Sequence, residues 1–595
     1  MSKSKITEIG EIDSISGNSI SVKLFDTIKS NMPVIDGVVY RVGQIGSFVR
    51  IPLGFANLYG IVTQIGSGAI PDGLKEMFYK DYDSFKNTSW INIVLAGEQV
   101  GKKFERGVTQ YPTTGDKVHL VTINDLDIIY GGYEETNSIT VGNISVSESL
   151  DAKIDLDKLI SRHCAIVGST GSGKSNAVSV LLEAIAKRNF PSARILVIDP
   201  HGEYNDALSK YSRVIESNPK DAKNKLYIPF WALPFNELIS IFSGNLSDSQ
   251  LDYVREKIVE AKIKSSRENK LIIPEESITA DSPIPFSIKR LWFELDDFER
   301  MNFQKDRVTL SSLISEGDIE TLKPNEYPPV GLGSSEPFVN NSRKGILGFL
   351  DSVRNKIKDN SYGFLFTPGD LTPDSEGKLT KKKDIDSLFL DWLGNPLPIT
   401  ILDLSGIPSE IMSSISGTLL KIIYDGLFWG VNTKVGGKNQ PLLIVLEEAH
   451  SYLKAGEHSI SSRTVQTIAK EGRKYGVGLL LVTQRPSELD ETVLSQCGTM
   501  IALRMNNSKD RGHIRSAVQD ELQSMVDLLP SLRTGEALIS GEAVKIPSRV
   551  KFFKISNAPK SSDPKASEKW LQTIENTETE YKNLLISWRN KNYKL

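Results

Sequence analysis

The sequence predicts an α/β core, a mostly parallel sheet with helices on both faces, preceded by a small β-barrel and interrupted by a helical insertion. Three observations carry this prediction. A glycine-rich loop, Gly168 to Ser175, lies between the short apolar run Cys164–Val167 and the helix-periodic segment Ala177–Lys187. Later apolar runs end in acidic or polar residues, as buried parallel strands do where they meet a ligand. Ahead of them, from Ile6 to about Tyr130, short β-rich segments alternate with glycine punctuation.

At 595 residues the chain is too long for one hydrophobic core, so several domains are expected. The composition divides into a barrel at 1–135, the first part of the core at 136–234, a mostly helical insertion at 235–380, the second part of the core at 381–558 and a charged helical tail at 559–595. A net charge of −3 gives no global sign of nucleic-acid binding, so any such contact must come from a local basic surface. Only Cys164 and Cys497 are present, which argues against a disulfide framework and suits a reducing cytosol. Six scattered histidines without a C-x-x-C pair give little support to a zinc site. The opening MSKSKITEIGEIDSI lacks an apolar signal core, and no run of about 18 apolar residues occurs. A cytoplasmic chain without membrane association is expected.

Within the barrel, strands are predicted at Ser19–Leu24, Ser47–Ile51, Tyr59–Thr63, Trp90–Val94 and Lys117–Val121. None carries a catalytic constellation, so the barrel reads as an assembly or docking module. A lead-in from Ile139 to Ser161 follows. The glycine loop comes next and reads G-x-x-x-x-G-K-[ST] at Gly168, Gly173, Lys174 and Ser175. Its glycines let several backbone N–H groups face one anion at the positive end of a helix. Gly168, Ser169, Thr170, Gly171, Ser172, Gly173 and Asn176 join Lys174 and Ser175 as the nucleotide-binding set. Lys174 is expected on the β and γ phosphates and the Ser175 hydroxyl on Mg2+. The bulk of these signals means a nucleoside triphosphate site.

The run Arg194–Asp199 ends in acid and continues through His201, Gly202, Glu203 and Tyr204. Asp199 and Glu203 therefore fall near the nucleotide and Asp199 joins the nucleotide-binding set, although it has an alternative use as cap of the following turn. The insertion contains the helix candidates Asp248–Lys262 and Arg343–Ile357 between Pro/Ser-rich connectors. The α/β pattern resumes at Ile399–Ser405, then Pro441–Leu446 leads into Glu447 and Glu448. An apolar strand ending in two acids supplies one carboxylate for Mg2+, assigned to Glu447, and one to polarise the attacking water, assigned to Glu448. A further strand, Gly478–Thr483, presents Gln484 as a sensor of the γ-phosphate or as a satisfied strand-end amide. Taken as residues alone, Arg162 reads as a solvated charge and Arg473 as a surface or capping group. The basic stretch Lys509–Arg515 and the loop around Lys454 are candidate DNA-contacting segments, and Trp570 and Trp588 candidate anchors for the tail.

Six ordered motifs resemble the HerA DNA translocases, of the HerA/FtsK superfamily of P-loop ATPases. They are Arg162–Asn176, Asp199–Tyr204, Leu446–His450, Glu471–Gly476, Thr483–Ser487 and Gly535–Gly541. The resemblance extends to a barrel before the core and a helical insertion within it. It implies a homo-hexameric ring that moves double-stranded DNA through a central pore with ATP and Mg2+. It also implies a partner, either a NurA-type nuclease or, in antiviral defence, an effector such as a sirtuin-like protein or another nuclease. By position it makes Arg473 an arginine finger acting in trans, with Arg162 a second arginine near the nucleotide. The rival expectation is a regulatory ATPase scaffold that assembles and switches a partner without substantial translocation.

Overall fold

The computed structural model describes residues 7–25, 34–35, 38–39, 42–67, 89–145, 147–217, 219, 221–242, 244–331, 335–381, 383–454, 456, 459–517, 523–559, 566–572 and 575–589. The barrel is built from β1 (Glu8–Ser16), β2 (Ser19–Leu24), β3 (Phe48–Leu53), β4 (Ala56–Ser67), β5 (Ser89–Val100), β6 (Lys103–Arg106) and β7 (Lys117–Leu120). The order is β2-β1-β7-β3-β4-β5-β6, and a further antiparallel pairing of β2 with β5 closes the ring, leaving β6 appended outside it. Closure removes the unpaired edges that such short strands would otherwise expose. Ile9, Ile20, Val22, Ile51, Val62, Ile91 and Ile93 fill the interior. Helix α1 (Ile123–Tyr130) follows the last strand.

The barrel is tied to the core by specific polar contacts. The Arg106 guanidinium donates to the carbonyls of Gly541, Val544 and Lys545. Tyr130 and Ser548 share a hydroxyl hydrogen bond of 2.8 Å, and the Lys545 N–H donates to the Tyr133 hydroxyl at 2.9 Å.

The core sheet contains β8 (Ser138–Ile144), β9 (Ser147–Asp155), β10 (Cys164–Val167), β11 (Arg194–Asp199), β12 (Ser212–Glu216), β13 (Ile399–Asp403), β14 (Leu442–Leu446), β15 (Val477–Thr483), β16 (Thr499–Leu503), β17 (Glu536–Gly541) and β18 (Ser548–Phe552). Their order is β9-β8-β18-β17-β16-β10-β15-β14-β11-β13-β12. Every neighbour pair from β16 to β12 is parallel. From β16 outward through β9 the pairs are antiparallel, so the lead-in forms the far edge of the same sheet. Helix α2 (Leu156–Ser161) precedes β10 and α3 (Lys174–Lys187) follows it.

The insertion supplies α4 (Phe235–Ile241), α5 (Asp248–Glu268), α6 (Ile288–Arg300) and α7 (Leu347–Lys358), and α8 (Ile385–Leu393) follows where the core resumes. Ser247 starts α5 with a capping box, its hydroxyl on the Gln250 N–H and the Gln250 side chain on the Ser247 N–H. Phe286 and Trp292 share one buried cluster with Leu196, Ile198 and Leu402 of the sheet. The insertion is therefore packed as a layer on one sheet face. Between α6 and α7 the described residues carry loops, isolated β-bridges and a two-strand pairing, Asn302–Phe303 with Phe338–Val339. Runs such as Pro324, Pro328, Pro329 and Pro337 interrupt any helical repeat there.

Helix α9 (Met412–Trp429) and α10 (Ile460–Glu471) pack against each other beside β15. The stretch from Lys509 to Arg515 lies in α11 (Ser508–Ala517). The tail contains α12 (Thr577–Arg589). Trp570 and Trp588 are 87% and 74% exposed, so neither anchors the tail within this chain. The tail's residues 560–565, 573–574 and 590–595 lie outside the described residues. Among the described residues no helix is long and apolar enough to cross a membrane.

Candidate nucleotide site

β10 is buried throughout and lies between β15 and β16, with Val167 level with Thr483 and Ala502. The chain leaves it through Gly168–Gly173 and enters α3 at Lys174. Two positions demand glycine. Gly173 has a φ of +101°, and a Cβ there would meet the Gly535 nitrogen at 3.0 Å; at Gly168 a Cβ would strike Ser172 Oγ at 2.7 Å. Three anchors hold the loop: Gly168 N–H on the Thr483 carbonyl, Ser169 N–H on the Arg504 carbonyl, and Gly535 N–H on the Ser172 carbonyl. Thr170 donates its hydroxyl to Gln484 Oε1 at 2.6 Å, which joins the loop to the end of β15. The N–H groups of Gly171, Gly173, Lys174 and Ser175 have no backbone acceptor among the described residues. They form the loop and first turn of α3, the positive end of the helix and a seat for an anion.

Lys174 is only 8% exposed, and its Nζ rests 3.4 Å from the Ser169 carbonyl. Burial lowers its pKa, against the pull of Glu448, Glu447 and Glu203. β15 separates β10 from β14, so the acids that end β14 stand two strand spacings, roughly 10 Å, from the loop's strand. That gap accommodates a phosphate, an ion and a water. Glu448 has a φ of +46°, a conformation costing a side-chain-bearing residue of order 1 kcal/mol. The sharp turn allows two consecutive carboxylates to serve the same site.

The two carboxylates differ in charge state. Glu447 is 2% exposed and accepts the Tyr204 hydroxyl at 2.8 Å. Burial pushes its pKa well above the ordinary value, reinforced by Asp199, Glu203 and Glu448 and opposed by Tyr204. For Glu448 burial also raises the pKa, but the approach of His450, with Lys174 and His201, outweighs it and the net shift is downward. His450 Nδ1 lies 3.1 Å from Glu448 Oε2 and equally 3.1 Å from Thr483 Oγ1. The first of these is an ion-pair distance without hydrogen-bond geometry, so Glu448 Oε2 is buried and lacks a hydrogen bond among the described residues. Environments that drive neighbouring carboxylates apart separate their roles. The surroundings of Glu448 favour its ionised form, whereas those of Glu447 favour its neutral form.

Two members of the expected nucleotide-binding set face elsewhere. Asp199 is fully buried, and its carboxylate accepts the N–H groups of His201, Gly202 and Tyr204. It caps the turn; burial pushes its pKa up to about 6 despite the backbone donors. The carboxylate this turn offers to the loop is Glu203, which accepts the Ser175 hydroxyl at 2.8 Å. Asn176 holds the strand exit after β18, donating to the Phe553 carbonyl and accepting the Ile555 N–H. Both side chains position the site and neither points into it.

The two arginines lie apart from the loop of their own chain. Arg162 precedes β10 and Arg473 precedes β15, so both lie at the N-terminal edge of the sheet, and the loop lies at the opposite edge. At about 3.3 Å per residue the separation is roughly 20 Å. Arg473 is exposed, and Arg162 pairs with Glu542 at 3.3 Å. Neither can touch the nucleotide held by its own chain. Of the candidate basic segments, Arg511 donates to the Asn506 carbonyl and Arg515 pairs with Asp527, leaving Lys509 exposed; Lys454 is exposed beside 455 and 457–458, which lie outside the described residues.

Tyr204 is the contributor that sequence reasoning missed, since nothing in its motif reveals that its hydroxyl reaches Glu447, 243 residues away. Tyr204→Phe is expected to leave a buried carboxylate oxygen without its donor, a loss of about 1–3 kcal/mol. The measurement is ATP turnover against Mg2+ concentration: the variant should need more Mg2+ for half-maximal rate, and an unchanged Mg2+ dependence would contradict the link.

By fold and site the chain is a P-loop ATPase. The family model described as "Helicase HerA, central domain" matches residues 139–423, and that described as "Helicase HerA-like C-terminal" matches 412–581. The chain belongs to the HerA family. It is 27% identical over 538 residues to the "DNA double-strand break repair helicase HerA" of Sulfolobus acidocaldarius, covering 89% of this chain and 92% of that one. The protein of the same description from Pyrococcus furiosus is 26% identical over 464 residues, covering 74% and 73%. Among solved structures, VirB4 of Thermoanaerobacter pseudethanolicus aligns with a TM-score of 0.46 and 13% identity, over 72% of this chain and 99% of that one.

Proposed function

We propose that the chain is an ATP- and Mg2+-dependent motor that assembles as a homo-hexameric ring and moves double-stranded DNA, serving a separate effector such as a nuclease. The observation that carries this reading is the division of the site between two sheet edges. Lys174, Ser175, Glu447 and Glu448 stand at one edge and Arg162 and Arg473 roughly 20 Å away at the other. A complete site therefore needs the arginine edge of one copy against the loop edge of the next, which a ring supplies repeatedly. The description of the relatives as DNA double-strand break repair helicases supports duplex DNA as the track.

The oxygen donors Ser175, Glu203 and Glu447 suit a hard divalent cation, and the raised pKa of Glu447 is relieved by one. Bound there, Mg2+ would supply positive charge to the phosphates. Lys174 and the unpaired loop N–H groups bind phosphate oxygens. Glu448 orients the attacking water and takes its proton, and Gln484, tied to the loop through Thr170, reports the state of the γ-phosphate. Arg473 of the adjacent subunit completes the charge stabilisation.

Movement along DNA would use exposed cations such as Lys454 and Lys509 on the phosphate backbone. ATP turnover should therefore rise with linear duplex DNA. Because backbone contacts release counterions, that stimulation should fall roughly 10-fold or more between about 50 and about 200 mM salt. Turnover indifferent to DNA, together with no ATP-dependent displacement of a third strand from a triplex, would overturn the motor and favour a switching scaffold.

A further inference from the structure

Between the two arginines stands a residue that the chemistry above does not use. His163 follows Arg162, is 4% exposed and has a φ of +55°. A left-handed conformation persists at a side-chain-bearing residue only where its surroundings fix it. Here the ring is fixed on both sides. Nδ1 accepts the Leu479 N–H at 3.0 Å, which puts the ring proton on the other nitrogen, with the Ala469 carbonyl beside the ring. Burial pushes the imidazole pKa down to about 4, so near neutral pH the ring keeps one donor and one acceptor.

The partners matter. Leu479 belongs to β15, and Ala469 to the last turn of α10, directly ahead of Gly472 and Arg473. Gly472 faces the ring, for a Cβ added there would lie 3.6 Å from His163 Cε1. In the other direction the backbone of the same two residues is held by β16's approach, Gly498 N–H on the Arg162 carbonyl at 2.6 Å and Thr499 N–H on the His163 carbonyl at 3.3 Å. One imidazole thus ties the segment carrying Arg162 to the helix end carrying Arg473.

We propose that His163 is a positioning residue that holds Arg162 and Arg473 in one fixed arrangement for the neighbouring subunit's nucleotide. This inference rests on the reading that the arginines act in trans. It makes a prediction that a general packing role does not: the defect of a His163 variant belongs to the donor edge of the subunit interface and not to the loop edge.

The test uses full-length protein in mixed assemblies. His163→Ala is expected to lower ATP turnover roughly 10-fold or more while retaining nucleotide binding. His163→Gln, whose amide offers one acceptor and one donor, should recover part of the rate and serves in its place if the alanine protein does not fold. Mixed with Glu448→Ala, which keeps its arginine edge, the His163 variant should regain turnover; mixed with Arg473→Ala it should not. Wild-type turnover in both His163 variants, or recovery with Arg473→Ala, would overturn the assignment. A mixture of Glu448→Ala and Arg473→Ala is the control: no recovery there removes the trans reading itself, and this inference with it, whereas recovery there alongside the wrong His163 pattern removes this inference alone.

Discussion

Lys174→Ala should lower ATP turnover by roughly 10²–10³-fold or more, the loss typical of removing one preorganised charge-stabilising donor. The ammonium is buried, and its hydrogen bond to the Ser169 carbonyl spans 3.4 Å, a weak contact for a full charge. It is held among Glu448, Glu447 and Glu203, whose attraction only partly offsets the cost of burial. Such a group is set for a ligand that is not part of the chain. Nucleotide affinity should fall with turnover, because the phosphate contact exists in the ground state as well as in the transition state. The unfolding midpoint without nucleotide should move little, since no hydrogen bond of normal length is lost. Turnover near wild type would remove the site from this loop. A large fall in the midpoint would instead make Lys174 a structural residue, and isothermal nucleotide binding beside thermal unfolding separates the two.

The parts of this site legible in the sequence are those whose meaning is local. The loop from Gly168 to Ser175 works through consecutive backbone groups, so its spacing carries its geometry. Glu447 and Glu448 end an apolar run, and strand direction alone sends them to the edge where the loop lies. Even the arginine edge follows from direction, because residues that precede a parallel strand lie opposite those that follow it. What could not be read is orientation and long-range pairing. Asp199 stands where a nucleotide ligand would, but its side chain turns inward onto three backbone donors. Asn176 sits inside the motif and serves a strand exit 377 residues away. The antiparallel flank joins β8 to β18, a pairing with no local signature. Trp570 and Trp588 show that apolar bulk in a tail does not reveal whether anything within the chain receives it.

Arg473→Ala should abolish most turnover yet keep nucleotide binding, and its magnitude follows from where the arginine sits. An arginine finger contributes about 10³–10⁵ in kcat because it meets charge that develops only in the transition state. Arg473 is exposed at the edge of the sheet opposite its own loop, so its removal cannot disturb Lys174, Ser175 or the acids of the same chain. Binding of a nonhydrolysable nucleotide should therefore stay within a few fold of wild type. The decisive measurement is a titration of Arg473→Ala protein with Glu448→Ala protein, each nearly inactive alone. The first brings an intact loop edge and the second an intact arginine edge, so mixed assemblies contain complete interfaces and turnover should rise and then fall across the mixing ratio. A flat response at every ratio, with mixed assembly demonstrated by mass, would mean that the arginine does not act across an interface. The division of the site between two sheet edges would then be a property of the monomer alone, and the geometric case for a ring would go with it.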